Sequence, residues 1–257
     1  MMRQEERLDY LIGYLLNEMP AYKMVQPKQT ADKKALFRAL CNLRPPMPAD
    51  SAFLTIQDGY LQEELKRKDV VDILDLCPAR GSLYLWKGDI TTLRADAIVN
   101  AANRELLGCF IPHHGCVDNA IHSAAGIQLR LACQRIMEKQ GGLESAGQAK
   151  ITPAFNLPCR YVLHTVGPVV SNRVTEVDCD LLASCYRSCL KLAEATGITS
   201  IAFCCISTGE FHFPNELAAE TAVRTVEAYL KQSRSKIKVI FNVFQKEDES
   251  IYRRLLE

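Results

Sequence analysis

Most of the familiar catalytic and cofactor signatures are missing from this chain. No glycine-x-glycine pair occurs, so the dinucleotide fingerprint of a Rossmann turn is absent. There is no GxxxxGKS/T phosphate loop, no HExxH and no GxSxG elbow. No CxxC exists, which removes the usual zinc-ribbon and thioredoxin-like readings. No apolar run approaches the roughly eighteen residues that suggest a membrane span. The opening MMRQEERLDYLIGYLLNEM has acidic residues where a signal peptide carries a positive region, and no small-residue cleavage site follows. A cytoplasmic protein with no membrane association is expected. An excess of basic charge is lacking too: 31 Lys and Arg against 30 Asp and Glu leave +1, too little to drive non-specific nucleic-acid binding.

The 257 residues that remain to be explained are 48% hydrophobic and 24% charged, an ordinary globular balance that excludes wholesale disorder. The length allows one large domain, or a medium one with an extension. Eleven cysteines are many and odd in number, and without signs of export reduced thiols are expected. Cys185, Cys189, Cys204 and Cys205 lie in apolar segments and are expected to pack as small hydrophobes.

The chain changes character near residue 80. Two glycines, Gly13 and Gly59, precede Gly81, and all five histidines follow it. Leu8, Leu11, Ile12, Leu15, Leu16 and Met19 recur at helical spacing. Thr30 is placed to cap a second helix that ends before Pro45 and Pro46, residues 52–66 suggest a third, and 69–76 a short fourth. Residues 1–78 are therefore read as a helical extension packed on a main domain of residues 79–257. There, strand-like runs (SLYLWK, DAIVNAA, AKITPA, RYVLHTV, SIAFCCIS, KIKVIFNVF) alternate with helical ones, and VDNAIHSAAGIQLRLACQRIMEKQ reads as one long amphipathic helix. Such alternation predicts an α/β sandwich with a mostly parallel central sheet.

The densest chemistry is GCFIPHHGCVDN, Gly108–Asn119. Cys109, His114 and Cys116 could converge on one Zn²⁺, and three protein ligands would leave an open fourth position, as catalytic sites do. His113 should point away from its neighbour. The plainer alternative is that the thiols pack in the core and the histidines are polar loop residues. Asp118 follows Cys116 by two residues, where a helix N-terminus favours a carboxylate even without chemistry. In STGEFHFPNE, Gly209 allows close approach and Asn215 could cap the next helix. A Gly-bearing loop that opens a helix can supply backbone donors to a diphosphate without a positive field. Asn100 and Asn103 also fit as strand-ending turn residues. His122 suits packing better than ligation.

GDIT at 88–91, DAIVNAAN at 96–103, VDNAIHSAAG at 117–126, HTVGP at 164–168 and STGEFHFP at 207–214 together resemble a macrodomain, in the family's order across about residues 80–257. GCFIPHHGCVDN is similar to the zinc-dependent subfamily, which also carries a helical N-terminal extension. The resemblance implies a three-layer α-β-α fold with an ADP-ribose cleft at the strand ends, and removal of ADP-ribose from mono-ADP-ribosylated proteins. It implies that Asp89 accepts from the adenine amino group beside the Ile90 amide, and that Asn100 and Asn103 face the distal ribose. Zinc would be held by Cys109, His114 and Cys116, one ion per chain, with Asp118 in the family's acidic position, catalytic by orienting the attacking water or taking its proton. Ser207, Thr208, Gly209, Glu210 and Phe211 would form the second phosphate loop. It further implies a link to a sirtuin-type ADP-ribosyltransferase and, as candidate substrate, a lipoyl-carrier protein similar to the glycine-cleavage H protein. A non-catalytic ADP-ribose reader and a deacylase of O-acyl-ADP-ribose are the alternatives. A zinc deaminase is disfavoured, because its HxE and PCxxC are missing.

Overall fold

The computed structural model describes residues 2–22 and 26–257. Helices α1 (Gln4–Glu18), α2 (Thr30–Leu43) and α3 (Ser51–Lys66) come first. Their apolar stripes meet in a core of their own, with Leu11, Ile12, Leu15, Leu40 and Phe53 almost fully buried. Asp50 caps α3 by accepting from the Phe53 amide at 2.6 Å. Thr30 does not cap α2; it is the first helical residue, after Gln29, which makes no side-chain cap bond. The fourth helix expected over 69–76 is instead a two-residue strand, β1 (Val71–Asp72), and a 3₁₀ turn, Ile73–Asp75. Asp72 holds this turn through the Leu74 amide, and β1 pairs with β3 (Leu93–Arg94).

The main domain adds β2 (Leu83–Lys87), β4 (Ala97–Ala101), β5 (Ala149–Pro153), β6 (Tyr161–Thr165), β7 (Ser200–Phe203) and β8 (Lys238–Val243), in the sheet order β2-β8-β7-β4-β6-β5. All neighbours are parallel except β5 and β6. Every residue of β7 and four of the five in β4 are buried, as expected of parallel strands covered on both faces. Helices α4 (Val117–Ala125) and α5 (Ile127–Gln140) carry the chain from β4 to β5, which turns back antiparallel into β6. The return path uses α6 (Glu176–Ala195) and α7 (Asn215–Ser233), and α8 (Lys246–Leu256) ends the described chain. Right-handed crossovers place connections running in opposite directions on opposite faces, giving three layers, with α4 and α5 across the sheet from α6 and α7. The direction reverses between β4 and β7, and the crevice beyond the carboxyl ends of strands at such a switch point is where α/β sheets bind ligands.

The helix expected as one piece over residues 117–140 is two. Gly126 breaks it at φ +97°, a conformation that a side chain would resist. The freed backbone groups are taken up by side chains: Gln57 of α3 accepts from the Ile127 amide at 3.0 Å, and Asn156 donates to the Ala125 carbonyl at 3.0 Å. No helix among the described residues is long and apolar enough to cross a membrane.

Candidate functional site

Four loops at the carboxyl edge of the sheet carry the residues singled out in the sequence. After β2, Asp89 accepts from the Thr91 amide at 3.0 Å and its hydroxyl at 2.7 Å, while Lys68 lies 3.5 Å from its other oxygen. The Ile90 side chain is buried beside it in the core. β8 and β7 stand between this corner and β4, a span of about 14 Å at the usual strand spacing. That length suits an extended ligand with its base at one end and a sugar at the other.

The loop after β4 is built around a cluster. One ligand atom each of Cys109, His114 and Cys116 lie within 4.8 Å of one another. Cys116 caps α4, its sulfur accepting from the Asn119 amide at 3.4 Å. Burial pushes its thiol up to about 12, against the opposing Asn119 bond, so a thiolate there requires a cation beside it. Nδ1 of His114 is buried and has no hydrogen-bond partner among the described residues. A soft divalent ion fits this donor set. His113 is outside the cluster: it is exposed, at φ +58°, and its amide donates to Asn42 Oδ1 at 3.2 Å.

The loop is held from below and from the side. Arg130 of α5 is 4% exposed and donates to the carbonyls of Leu107, Cys41, Asn42 and Arg44, with Cys109 at 3.4 Å. One guanidinium thus joins the Cys/His/Cys loop to the end of α2. Arg38 of α2 donates to Asn119 Oδ1 at 2.8 Å, and Asn119 in turn donates to the Ile111 carbonyl at 3.0 Å. Gly108 lies flat on the His122 ring, where an added Cβ would meet ring atoms at 2.8 Å. The extension therefore reaches the site as well as packing on the domain.

Asp118, in the first turn of α4, is 5% exposed. Its Oδ1 accepts from Asn100 Nδ2 at 2.7 Å. Burial raises its carboxyl to about 6, opposed by the Asn100 bond and the charge of Arg130. Asn100 and His164 are register partners in β4 and β6, and Asn100 Nδ2 lies 3.2 Å from His164 Nδ1. His164 Nε2 is 2.9 Å from Thr152 Oγ1. Burial lowers the His164 ring to about 4 and His122 well below its usual range, His122 further by its neighbours His164 and Arg130, so both are neutral. The contact of His122 Nε2 with Asp118 at 3.5 Å is thus not a charged pair. His122, Cys133 and His164 form a second, buried trio of ligand types, but both ring nitrogens of His164 already have partners. Asn103 sits apart from this network; its Nδ2 donates to the Gly108 carbonyl at 3.1 Å, closing the loop on itself, and its Oδ1 has no partner among the described residues.

The loop after β7 approaches from the other side of the switch point. Ser207 is buried at φ +67°, its Oγ without a partner among the described residues and pressed against Gly167, where a Cβ would lie 2.0 Å away. Strain of this kind is typical of ligand-binding loops. Thr208 Oγ1 donates to the Cys205 carbonyl at 3.1 Å. Gly209 faces open space, and the amides of Gly209, Glu210 and Phe211 find no acceptor among the described residues. The Phe211 carbonyl accepts from Val170, fixing the loop after β6 beside it. Glu210 reaches across to the Cys/His/Cys loop, 3.3 Å from His114 Nε2. Asn215 does not cap α7; it is the first helical residue and donates to Asp248 at 2.7 Å.

The sequence reading left out Arg38, Asn42, Asn119, Thr152 and Arg130. Arg130 had a visible signal: it interrupts the apolar face of Ile127, Cys133 and Met137, where a lone charge needs a buried partner. The others had none.

A three-layer fold with its polar loops gathered at one switch point defines an α/β ligand-binding class. The Macro domain family model matches residues 99–222. A protein-ADP-ribose hydrolase of Treponema medium is 53% identical over 99% of this chain and 100% of its own length. Another of that name, from Staphylococcus aureus, is 49% identical over 96% of this chain and 94% of its own. The crystal structure of a Trypanosoma brucei macrodomain in complex with ADP-ribose superposes with a TM-score of 0.67 at 31% identity, covering 85% of this chain and 95% of that one. The chain belongs to the macrodomain family.

Proposed function

We propose that this protein is a zinc-dependent hydrolase that removes ADP-ribose from mono-ADP-ribosylated proteins. One observation carries the reading: a buried carboxylate, Asp118, is held by Asn100 two residues beyond a Cys/His/Cys donor set, at the crevice where the fold binds ligands. A module that only bound ADP-ribose would need neither. The two relatives named protein-ADP-ribose hydrolase, aligned over nearly the whole chain, support the same reaction.

Zinc held by Cys109, His114 and Cys116 would polarise a substrate oxygen or a bound water at its open position. Two thiolates cancel its charge, so orienting the ribose or the water is as good a use of it as generating hydroxide. The free amides of Gly209, Glu210 and Phe211 would take the diphosphate, Asp89 and the Ile90 amide the adenine, and Asn100 and Asn103 the distal ribose. Asp118 Oδ2, which makes no hydrogen bond among the described residues, would orient the attacking water and take its proton. The bond from the anomeric carbon to the acceptor side chain breaks. Hydroxyl joins the carbon, and the proton ends on the acceptor.

Cytoplasmic residence belongs to the same proposal, since Cys109 and Cys116 must stay reduced to bind metal. So does a protein substrate. A lipoyl carrier similar to the glycine-cleavage H protein, modified by a sirtuin-type transferase, is the candidate that the subfamily resemblance supplies. The test is a panel of mono-ADP-ribosylated proteins of differing linkage, this carrier included, with and without chelator. Release of free ADP-ribose that chelator abolishes and zinc restores is the expected result. Binding without release would make the protein a reader, and release from O-acyl-ADP-ribose alone a deacylase.

A further inference from the structure

We infer that Glu210 is a positioning residue for His114: it fixes the ring nitrogen offered to the metal and ties the metal loop to the phosphate loop. The inference rests on the proposed reading of His114 as a zinc ligand.

The two nitrogens of His114 have different surroundings. Nδ1 is buried and has no hydrogen-bond partner among the described residues, whereas Nε2 lies 3.3 Å from Glu210 Oε1. The contact is a close approach of charge to ring rather than a formed hydrogen bond, and because a carboxylate only accepts it favours the tautomer with the proton on Nε2. The lone pair is then on Nδ1, the buried nitrogen without a partner among the described residues, and one nitrogen of this ring lies within 4.8 Å of the sulfurs of Cys109 and Cys116. A histidine that ligates through one nitrogen and donates from the other to a carboxylate has its tautomer and ring plane set by that second bond. The rest of the residue is already held, since its amide donates to the Ile111 carbonyl and its carbonyl is 3.5 Å from Arg38. Ring rotation is the freedom that Glu210 removes.

The placement of Glu210 gives an independent reason. It stands between Gly209 and Phe211, in a loop whose free amides suit a diphosphate. A carboxylate there opposes an anionic ligand unless its charge is directed elsewhere. The contact with His114 directs it across the crevice. The consequence is mechanical: movement of Glu210 with the phosphate loop is movement of a metal-ligand support. Its side chain is 68% exposed, so it contributes little to the core.

The test uses the full chain as wild type, Glu210→Ala and Glu210→Gln. Zinc affinity is measured by competition with a chromophoric chelator, and the His114 tautomer by ¹⁵N NMR of the zinc-free proteins. Loss of such a support typically weakens metal binding roughly 10–100-fold, which is the result expected for Glu210→Ala. Glu210→Gln keeps an acceptor oxygen and should retain most of the affinity. Wild-type His114 should carry its proton on Nε2, and Glu210→Ala should show a mixture. Equal melting of the three zinc-free proteins excludes a folding defect; a lower melt for Glu210→Ala with normal Glu210→Gln still leaves the Gln affinity and the wild-type tautomer to decide. Equal zinc affinity of Glu210→Ala and wild type, or a wild-type proton on Nδ1, would overturn the assignment of Glu210 alone. A wild-type protein that binds no zinc would overturn the metal reading, and this assignment with it.

Discussion

Asn100 at the end of β4 donates to Asp118 in the first turn of α4 across 2.7 Å, and the same amide nitrogen lies 3.2 Å from His164 of β6. The orientation of the acid is therefore set by two central strands of the sheet. Burial alone would drive this carboxyl to its neutral form, and Asn100 is the neighbour that donates a hydrogen bond against that tendency.

Asn100→Ala should leave Asp118 and His164 each short of a buried partner. The expected loss is about 2 kcal/mol of stability, the usual cost of an orphaned buried polar group. Urea unfolding of the zinc-free protein measures it; an unchanged midpoint would mean that water replaces the amide.

Zinc should follow the loop and not the cysteine count. Wild type should hold one zinc per chain by elemental analysis; Cys109→Ala, Cys116→Ala and His114→Ala should lose it, while His113→Ala and Cys185→Ala keep it. His113 is exposed and Cys185 is buried in α6, its thiol donating to the Val166 carbonyl. Zinc retained in both loop-cysteine variants would move the metal elsewhere or remove it.

Much of this was legible in the sequence, for physical reasons that differ by element. β7 and β4 are short apolar runs that only a covered parallel sheet accommodates, and Cys109, His114 and Cys116 stood out because their spacing lies within one loop. Gly126 was not legible as a break, since residues 117–140 keep helical spacing through it. Gln57 and Asn156, far away in sequence, make the break possible. Thr30 and Asn215 are good capping residues that tertiary structure placed one position too late. The reach of the extension into the site depends on Arg38, Asn42 and Arg130 meeting backbone carbonyls and amides, and carbonyls carry no sequence signal.

Arg130→Met should be among the more damaging single substitutions away from the crevice. It strands carbonyls of both α2 and the metal loop, and charged hydrogen bonds of this kind are worth about 1.5–3 kcal/mol each when their partner goes. Arg130→Lys should fail nearly as badly, because a single ammonium cannot serve carbonyls arranged around a planar fork. Asn42→Ala, which removes the acceptor for the His113 amide, should weaken zinc binding with a smaller effect on folding. Denaturant midpoints and chelator competition separate the two effects.

Acid should destabilise the zinc-free protein through His164 and, in the same direction, through His122, both held neutral by burial. The folded value of His164, about 4, is below the unfolded value of about 6.5. Between these the unfolded chain binds a proton that the folded chain refuses, so stability falls as pH drops from about 6.5 towards 4. The contribution is on the order of 3 kcal/mol at full development. Asp96, its carboxylate lowered by bonds from Thr199 and Ser200 despite partial burial, adds to the same slope at lower pH. The raised Asp118 works the other way, giving stability back as pH falls through about 6. His164→Gln should flatten the melting temperature between pH 6.5 and 4.5 relative to wild type; an equally steep profile would show that His164 is charged in the folded protein.

The most direct measurement is single-turnover release of ADP-ribose from a mono-ADP-ribosylated protein by Asp118→Ala, with zinc content and ADP-ribose affinity determined on the same sample. Release should slow by roughly 10²–10⁴, the usual worth of general acid–base help. Zinc should remain at one per chain, and affinity should be unchanged or tighter, because a negative charge near a bound dianion has gone. Near-normal release with zinc in place would contradict the assignment of Asp118 as the group that acts on water.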